Sequence, residues 1–468
     1  MAGMNTSSLV SEGRTWFQRR ALFFKIIGVA LLGLLLLIPL GMVDSTLSER
    51  QSRYREAVVD VTATWGGSQR VAGPVLLIPY TYRADVEETR FVNGQPVKEL
   101  RERIMRGEAV FLPEQLDVQG QVDPSLRRRG IYTTPVYAAR LKLSGKFAAP
   151  TFEFITGRNV QPLWEQARVS FMISDLRGTR ENLVLRWGTD DVPLQPGARF
   201  CDMGTGVYAP VKQAAGESRE FALELTLNGS DGLQFVPLGR QTNVKIRSAW
   251  ADPSFGGAYL PIAREVGPQG FNAEWQVSYY GRSFSQAWGT TGSGNVAPSA
   301  KELGESAFGV SLMQPVNMYR TIERAIKYGV LFITLVFTTF FLFEAVCGVR
   351  LSAFNYLLVG CALCLFYLGA LALVELVRFA LAYALAAGAS TLLVALYSWH
   401  ILHSGRRAWL VGGMLGGVYG YLYFVLQMED FALLAGTGAL FAVLAAVMYA
   451  TRKLNAGSAK PENEEAGA

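Results

Sequence analysis

Long apolar runs fill the last third of the chain, from about Ile322 to Ala450, with only short polar gaps between them. A helix needs roughly 20 apolar residues to cross about 30 Å of hydrocarbon. In lipid, every backbone polar group needs an internal partner, so runs of this length are typical of helices. The sequence therefore predicts five membrane-spanning helices, at about 325–346, 354–374, 379–402, 408–428 and 431–450.

A further apolar run, 21–43, is the first of the six in chain order and follows a polar segment, 1–20, that carries Arg19 and Arg20. The run is longer than the roughly 7–15 apolar residues of a signal peptide. We interpret it as an uncleaved transmembrane anchor, with a cleaved signal peptide as the alternative. Basic residues mark the cytoplasmic side of a span, so the N-terminus is predicted to be cytoplasmic.

The charges of the later loops agree with this orientation. Six spans would return Arg350, Arg406, Arg407 and the tail 451–468 to the cytoplasm. Both termini are then cytoplasmic, the segment 44–321 is periplasmic, and 322–450 forms a five-helix bundle. We expect the tail, which is rich in charged residues after Lys460, to be disordered.

The segment from Ser45 to Trp65 has helical spacing. Leu47, Tyr54 and Val61 are seven residues apart and share one helix face. A stalk that packs on the following domain is the favoured interpretation. A dimerising coiled coil is the alternative, although it would need three to four heptads.

From Gly73 to about Ala297 the apolar residues alternate, as they do in strands. The clearest run is Phe221, Leu223, Leu225 and Leu227, which Asn228-Gly229 is predicted to turn into a returning strand through Leu233 and Phe235. Asn93-Gly94 predicts another hairpin, and 281–304 reads as a long loop. Further short strands are predicted at Leu141 with Leu143, Phe152 with Phe154, Val169 with Ile173, Leu183 with Trp187, and Val244 with Ile246. We expect a β-rich periplasmic domain that resembles a sandwich of antiparallel sheets.

Composition excludes several function classes. The net charge of +6 includes the Lys and Arg residues that flank the spans, and no basic block with interleaved aromatic residues indicates nucleic-acid binding. The two histidines, His400 and His403, lie at the end of a predicted span, so the large polar segment cannot supply a His-dependent triad. No nucleotide-binding or hydrolase motif stands in a usable context.

The cysteines and carboxylates give only weak indications of a metal site or of catalysis. Cys361 and Cys364 form a C-x-x-C pair inside an apolar span, where cysteine behaves as a small hydrophobe. We therefore expect no metal and no cofactor. Acid–base chemistry would need paired carboxylates, for which Glu114, Asp175, Asp252 and Glu265 are the candidates. Their pairing in space cannot be derived from the sequence.

Two features of the spans are candidates for function. Lys327 and Glu344 are charges at or near the ends of the second span, and ionisable residues at membrane depth can belong to an ion path. Gly412, Gly416 and Gly420 are four residues apart in the fifth span and form a candidate helix-packing face. That face would pack inside the bundle or, as the alternative, form a homodimer seam.

Short segments along nearly the whole chain together carry a family resemblance. In the polar part they are Gly73-Pro74, Ile78-Pro79, Leu112-Pro113-Glu114, Gly130-Ile131-Tyr132, Ser174-Asp175-Leu176-Arg177-Gly178, Trp250, Pro253-Ser254-Phe255, Leu260-Pro261, Arg264-Glu265 and Gly270-Phe271. In the apolar part they are Arg324, Lys327-Tyr328, Phe343-Glu344, Tyr356-Leu357-Leu358-Val359-Gly360, Tyr419-Gly420, Leu426-Gln427, Glu429-Asp430 and Thr451-Arg452.

Together these segments resemble the CreD family of bacterial inner-membrane proteins. The resemblance implies a Gram-negative inner membrane and a role in envelope integrity and stress, and it supplies no reaction. We therefore expect a non-enzymatic protein whose periplasmic domain binds an envelope protein or cell-wall component. Candidate anchors for such binding are Trp250, Trp275, Tyr279, Tyr280 and Trp288, although most of these aromatic residues are expected to lie in the core or at the membrane interface. The alternatives are a transporter that uses Glu344 and Lys327, and an envelope enzyme.

Overall fold

The computed structural model describes residues 21–92, 95–179, 181–198, 205–312, 318–347, 352–402, 405–428 and 432–451. The chain forms two compact units. One unit combines Met1–Tyr54 with Val316–Ala468, and the other is Arg55–Pro315. The predictions for the segment 1–20, the tail from Arg452, the Asn93-Gly94 turn, Arg350 and His403 lie outside the described residues.

The first unit is helical. Its helices are α1 (Ala21–Leu35), α2 (Leu37–Trp65, which continues into the second unit), α4 (Met318–Lys327), α5 (Gly329–Cys347), α6 (Ala353–Val374), α7 (Phe379–Leu402), α8 (Gly405–Gln427) and α9 (Ala432–Thr451). Ser352 caps α6, because its hydroxyl accepts a hydrogen bond from the backbone of Asn355. The short helix α3 (Ala300–Glu305) belongs to the second unit.

Four stretches of helix among the described residues are long and apolar enough to cross a membrane. They are Ile27–Trp65, Ala353–Val374, Phe379–His400 and Gly405–Gln427. The second and sixth predicted spans are helical as α5 and α9, and their crossing of the membrane stays a prediction. The second span is shorter than predicted at its start, because α4 ends at Lys327 and the apolar helix begins at Gly329.

The predicted anchor packs closely against the later helices. Leu36, between α1 and α2, is 1% exposed and packs against Gly360 of α6. Any side chain at position 360 would overlap the Leu36 side chain. Leu40 lies in the same way against Gly329 at the start of α5. Small residues allow helices to approach closely in lipid, so these glycines position the anchor in the helical unit. The predicted helix 45–65 is confirmed, as the continuation of the same α2.

The second unit is built from eighteen described strands. They are β1 (Gln69–Val92), β2 (Gln95–Phe111), β3 (Gln115–Arg129), β4 (Tyr132–Phe147), β5 (Arg158–Pro162), β6 (Arg168–Ile173), β7 (Val184–Trp187), β8 (Asp190–Pro193), β9 (Gln195–Ala198), β10 (Gly206–Pro210), β11 (Arg219–Ser230), β12 (Gly232–Phe235), β13 (Gln241–Ser248), β14 (Pro253–Gly257), β15 (Ala263–Gly267), β16 (Gly270–Ser278), β17 (Ala287–Gly289) and β18 (Phe308–Leu312).

These strands form two sheets. The main path of one is β14-β18-β12-β1-β6-β10-β9, with β2, β5 and β17 joined to its side, and the other has the order β15-β16-β13-β3-β4-β11-β7-β8. One apolar core cluster takes side chains from both sheets, for example Leu76 and Phe171 from the first and Leu143 and Trp275 from the second. The domain is therefore a β-rich sandwich, as the alternation predicts.

The prediction of purely antiparallel sheets is wrong in two places. β1 pairs with β12, and β13 pairs with β3, in parallel. The predicted hairpin at Asn228-Gly229 is also wrong, because β11 continues through both residues to Ser230. Asp231 then adopts a positive φ of 62° and the chain passes into the other sheet, where β12 pairs with β1 and β18. The alternation of apolar residues predicted the strands β11 and β12 correctly, but each of them pairs with strands that are distant in the sequence.

Two further local predictions need correction. Phe152 and Phe154 lie in a turn rather than in a strand, and both rings pack on Phe111. The predicted loop 281–304 contains β17 and the first residues of α3. Ser299 and Glu302 form a capping box at the start of α3, a signal that the Ser- and Gly-rich composition of the segment obscured. The strands predicted around Leu143, Phe171, Leu185 and Val244 are confirmed.

The hairpin between β15 and β16 gives a first test of this fold. Gly270 has φ of +126°, and a Cβ there would overlap the carbonyl oxygen of Ser248. We expect Gly270→Ala to lower the free energy of unfolding by about 2 kcal/mol, because both the backbone and the contact become strained. Gly267 pairs with Gly270, and a Cβ there would have no neighbour within 4 Å. Thermal unfolding should therefore show Gly267→Ala near wild type, and equal effects of the two variants would contradict the register.

Candidate functional site

An ion pair lies inside the helical unit. Glu344 of α5 pairs with Lys25 of α1 through one carboxylate oxygen, and the other oxygen accepts a hydrogen bond of 3.1 Å from Tyr356 of α6. The Glu344 side chain is 12% exposed and that of Lys25 is 30% exposed. The cluster thus joins three helices and compensates a carboxylate that would be costly to bury alone. Sequence analysis identified Glu344 but missed Lys25 as its partner.

Lys327 occupies a different environment. Its ammonium lies 2.7 Å from Glu323, one turn earlier on α4, and its side chain is 68% exposed. Lys327 ends α4, whereas Glu344 lies near the far end of α5, roughly 22 Å along that helix from its first residue, Gly329. The structure does not bring the two predicted charges together, so they cannot act on one bound ion.

The three glycines of the candidate packing face lie along an open groove between α7 and α8. A Cβ on Gly412 would approach Ala395 of α7 at 3.3 Å, whereas a Cβ on Gly416 or Gly420 would have no neighbour within 4 Å. The groove has a volume of about 760 Å³. Gly412 therefore supports the α7–α8 contact, while Gly416 and Gly420 leave space beside it.

A hydrogen-bonded tyrosine layer lies between α7 and α8. The Tyr383 hydroxyl donates to the carbonyl oxygen of Tyr419 at 2.7 Å, and the Tyr419 hydroxyl lies 2.9 Å from the hydroxyl of Ser390. Ser390 in turn donates to the carbonyl oxygen of Ala362 of α6 at 3.0 Å. These polar groups are satisfied inside the protein, so Tyr383 and Tyr419 contribute mainly apolar ring surface to the groove.

One end of the groove carries exposed aromatic and basic residues. Trp399 near the end of α7 and Trp409 near the start of α8 both line the groove and are 59% and 82% exposed. Arg406 and Arg407 occupy the first turn of α8, and both are exposed. His400 is exposed at the same end. Tryptophan is enriched at membrane–water interfaces, which fits this end of two apolar helices.

In the β-rich unit, Asp175 organises a clamp rather than an open site. Its two oxygens accept hydrogen bonds from the Arg177 guanidinium at 2.9 Å, and they also bond the backbone N–H of Arg177 and of Gly67 at 3.0 Å. Arg177 donates further to the carbonyl oxygen of Ala63 in the last turn of α2. These hydrogen bonds, first of all from the Arg177 side chain, hold the pKa of Asp175 below its usual value. The Ser174-to-Gly178 segment therefore fastens the last turn of α2 to the sheets.

The other candidate carboxylates are not gathered around Asp175. Glu114 lies 3.7 Å from Arg240, and exposed Asp252 is in a turn where its backbone carbonyl accepts the indole N–H of Trp250. Glu265 is exposed on β15, at the end of the eight-stranded sheet. Glycoside chemistry needs two carboxylates within about 10 Å of each other on one cleft. The described contacts assemble no such pair.

The edge strand β15 is a surface that sequence analysis missed. It ends the order of the eight-stranded sheet and pairs only with β16 among the described strands. Leu260, Ile262 and Val266, in and just before this strand, are 68%, 64% and 52% exposed. Arg264 lies between Ile262 and Val266. The alternating signal was present in the sequence, but nothing in it showed that these apolar side chains face solvent.

The predicted aromatic anchors mostly belong to the core. Trp275 and Trp288 are each 1% exposed, while Trp250 packs partly buried against the core. Tyr279 lies under the Arg240 guanidinium at 4.9 Å, and Tyr280 is 82% exposed. Tyr280 is therefore the member of this group most available to a partner.

Within the described part of the chain, no group of His, Cys, Asp and Glu side chains could hold a metal ion. Cys361 is exposed and Cys364 is buried, with its sulfur 3.9 Å from the carbonyl oxygen of Leu36. Cys364 thus contacts the residue between α1 and α2. Its environment fits the structural interpretation of the C-x-x-C pair.

Two comparisons with known proteins identify the family of this chain. The family model described as inner membrane protein CreD matches residues 21–456, which include both units. The inner membrane protein CreD of Escherichia coli (strain K12) is 30% identical over 440 residues, covering 93% of this chain and 93% of that protein. With its apolar helices, the chain is an inner-membrane protein that belongs to the CreD family.

Proposed function

We propose that the chain is a non-enzymatic factor for envelope integrity under stress, and that its β-rich domain binds an envelope protein. In this proposal six helices cross the membrane, both termini are cytoplasmic, and the β-rich domain is periplasmic. The support for this orientation is the positive-inside rule, because six spans would put the basic residues Arg19, Arg20, Arg406 and Arg407 on the same side of the membrane. The envelope role rests on the family resemblance.

The open edge of β15 is the observation that carries the proposal. An edge strand presents unpaired backbone N–H and C=O groups, to which an extended segment of another protein can add as a further strand. The exposed apolar side chains of Leu260, Ile262 and Val266 would give such a segment buried contacts. Natural edges are normally blunted with charges or proline, and Pro261, Arg264 and Glu265 do so in part here. The edge also exposes three apolar side chains, which such protection does not need and which a partner could cover.

The chemistry of the edge favours a protein partner over a cell-wall glycan. Among the described residues of β15 there is no aromatic ring on which a sugar could stack. The adjacent trough, about 890 Å³ across the outer face of the same sheet, is lined largely by charged and amide side chains. Several of these already pair with each other, for example Lys245 with Glu274 at 2.9 Å. A peptide backbone with apolar side chains is therefore the better match.

The test is rescue of cells that lack this protein, under envelope stress. The double variant Ile262→Lys with Val266→Lys places two charges on the edge without disturbing a core contact, so we expect rescue to fall at least about tenfold at wild-type protein level. The matched control is Leu100→Lys with Ile104→Lys. These residues, both 71% exposed, lie on β2 in the other sheet. Full rescue by the edge variant, or equal loss in the control, would contradict the proposed surface.

A transporter is the second candidate, favoured by the ion pair inside the helical unit. In a transporter, the Glu344 carboxylate would have to be exposed to the two sides of the membrane in turn, and this would need its ion pair with Lys25 to break. Rescue by residues 1–321 alone, folded and inserted, would exclude this candidate, because α5 to α9 would then be dispensable. An enzyme would instead need a free carboxylate, and Glu265→Gln should then abolish rescue without changing protein level.

A further inference from the structure

The groove between α7 and α8 runs along almost the full length of both helices. Its lining extends from Ala380 to Trp399 on α7 and from Gly405 to Tyr423 on α8. Nineteen residues of helix correspond to roughly 29 Å, which is about the thickness of the hydrocarbon core. The volume of about 760 Å³ is in the range of ligand sites, roughly 300–1,000 Å³.

Small residues keep this groove open. The α8 wall carries Gly412, Gly413, Gly416 and Gly420, and the α7 wall includes Gly388 with several alanines. Residues with larger side chains at these positions would fill the space between the two helices. An open apolar space of this length inside a membrane must be occupied by an apolar chain, because water there would lack hydrogen-bond partners.

The charges at the ends of the groove indicate which kind of apolar molecule occupies it. Arg406 and Arg407 lie next to Gly405 and Trp409 of the lining, and neither has an ion-pair partner among the described residues. At the other end, Arg378 directly precedes α7. Two arginines beside two exposed tryptophans form a basic, interfacial end, and such ends attract anionic head groups.

We propose that the groove binds an anionic phospholipid, with an acyl chain along Gly412, Gly416 and Gly420 and the phosphate at Arg406 and Arg407. Guanidinium groups bind phosphate by charge-assisted, bidentate hydrogen bonds. The tryptophan rings of Trp399 and Trp409 flank the glycerol region. This site is independent of the proposed binding edge on the β-rich domain.

The experiment is native mass spectrometry of the full chain in detergent, titrated with dioleoyl phosphatidylglycerol or dioleoyl phosphatidylethanolamine. We expect the wild-type chain to bind the anionic lipid roughly tenfold more tightly, since each juxtamembrane arginine favours anionic lipid. Gly416→Leu fills the groove and should weaken binding of both lipids at least about tenfold. Gly417 is exposed on α8 but does not line the groove, so Gly417→Leu is the matched control and should bind as wild type.

A second set of variants tests where the lipid head group binds and leaves the helix packing intact. Arg406→Gln with Arg407→Gln should remove the preference for the anionic lipid. The charge-conserving pair Arg406→Lys with Arg407→Lys should retain part of it, because the charge attraction remains while the bidentate hydrogen bonds are lost. Arg378→Gln should leave the preference unchanged. A loss of preference with Arg378→Gln alone would overturn the proposed placement of the phosphate.

Three results would overturn the site itself. The first is equal affinity of the wild-type chain for the two lipids, and the second is equal loss in the Gly416→Leu and Gly417→Leu variants. The third is a dimer that Gly416→Leu dissociates while lipid binding is unchanged. That result would assign the groove to a second copy of the chain, as in the homodimer seam predicted from the glycine spacing.

Discussion

Asp175→Ala is expected to lower the free energy of unfolding of the β-rich unit by about 3 kcal/mol. The carboxylate is 11% exposed and accepts hydrogen bonds from Gly67 and from the backbone and guanidinium of Arg177. Hydrogen bonds to a charged group contribute roughly 1.5–3 kcal/mol each in the better cases, and loss of the cap at the following turn adds about 1 kcal/mol. Thermal unfolding of the full chain in detergent, followed by near-UV circular dichroism, measures the effect.

The control is Asp252→Ala, because that side chain is exposed and is not hydrogen-bonded in the described contacts. We expect this variant within about 0.5 kcal/mol of wild type. Similar destabilisation by the two changes would refute the clamp. The result also affects the enzyme alternative, since loss of rescue with an Asp175 variant would follow from unfolding and would not indicate catalysis.

The Asp175 contribution should depend on pH in a defined direction. The folded-state pKa is below the unfolded value of roughly 3.9, so the clamp stabilises the fold fully above that pH. The stability is lost as the pH falls through the folded pKa. The difference between wild type and Asp175→Asn should accordingly be constant from pH 6 to 7 and shrink below about pH 4. A difference that grows on acidification would contradict this assignment.

Glu344→Gln is expected to destabilise the helical unit by about 3 kcal/mol. The change leaves the Lys25 ammonium without its carboxylate, and breaking one partner of a buried pair costs about 3–5 kcal/mol. We take the lower end because the Lys25 side chain is 30% exposed. Thermal unfolding in detergent gives the comparison. Lys327→Met should cost only about 0.5 kcal/mol, because Lys327 is exposed and its partner is one turn away on the same helix.

A double-mutant cycle separates the ion pair from the rest of the site. Lys25→Met combined with Glu344→Gln should destabilise less than the sum of the single changes, with a coupling of about 1–3 kcal/mol. Additive effects would mean that the two charges do not interact. If Glu344→Gln abolishes rescue while the double variant restores it, the ion pair holds helices together and the transporter alternative loses its residue.

The local features of this chain were predictable because they depend on neighbouring residues. Apolar length predicts helices in lipid, and the four long spans follow that rule. Alternation in β11 predicts a strand with Leu223 and Leu225 buried, which the structure confirms. The Asn228-Gly229 turn failed for a tertiary reason: continued pairing of β11 with β4, where Gly229 lies opposite Tyr137, outweighs the local turn preference.

What the sequence by itself determined is the division into apolar spans and a strand-rich segment, together with the family. Tertiary structure alone decided which residues meet. Lys25 and Glu344 are 319 residues apart, and Asp175 bonds Gly67 across 108 residues. The glycine spacing on α8 indicated a close helix contact, but only packing shows that Gly412 makes it while Gly416 borders open space. The physical reason is that periodicity reports the face of an element, whereas the partner of that face is chosen by long-range burial and charge compensation.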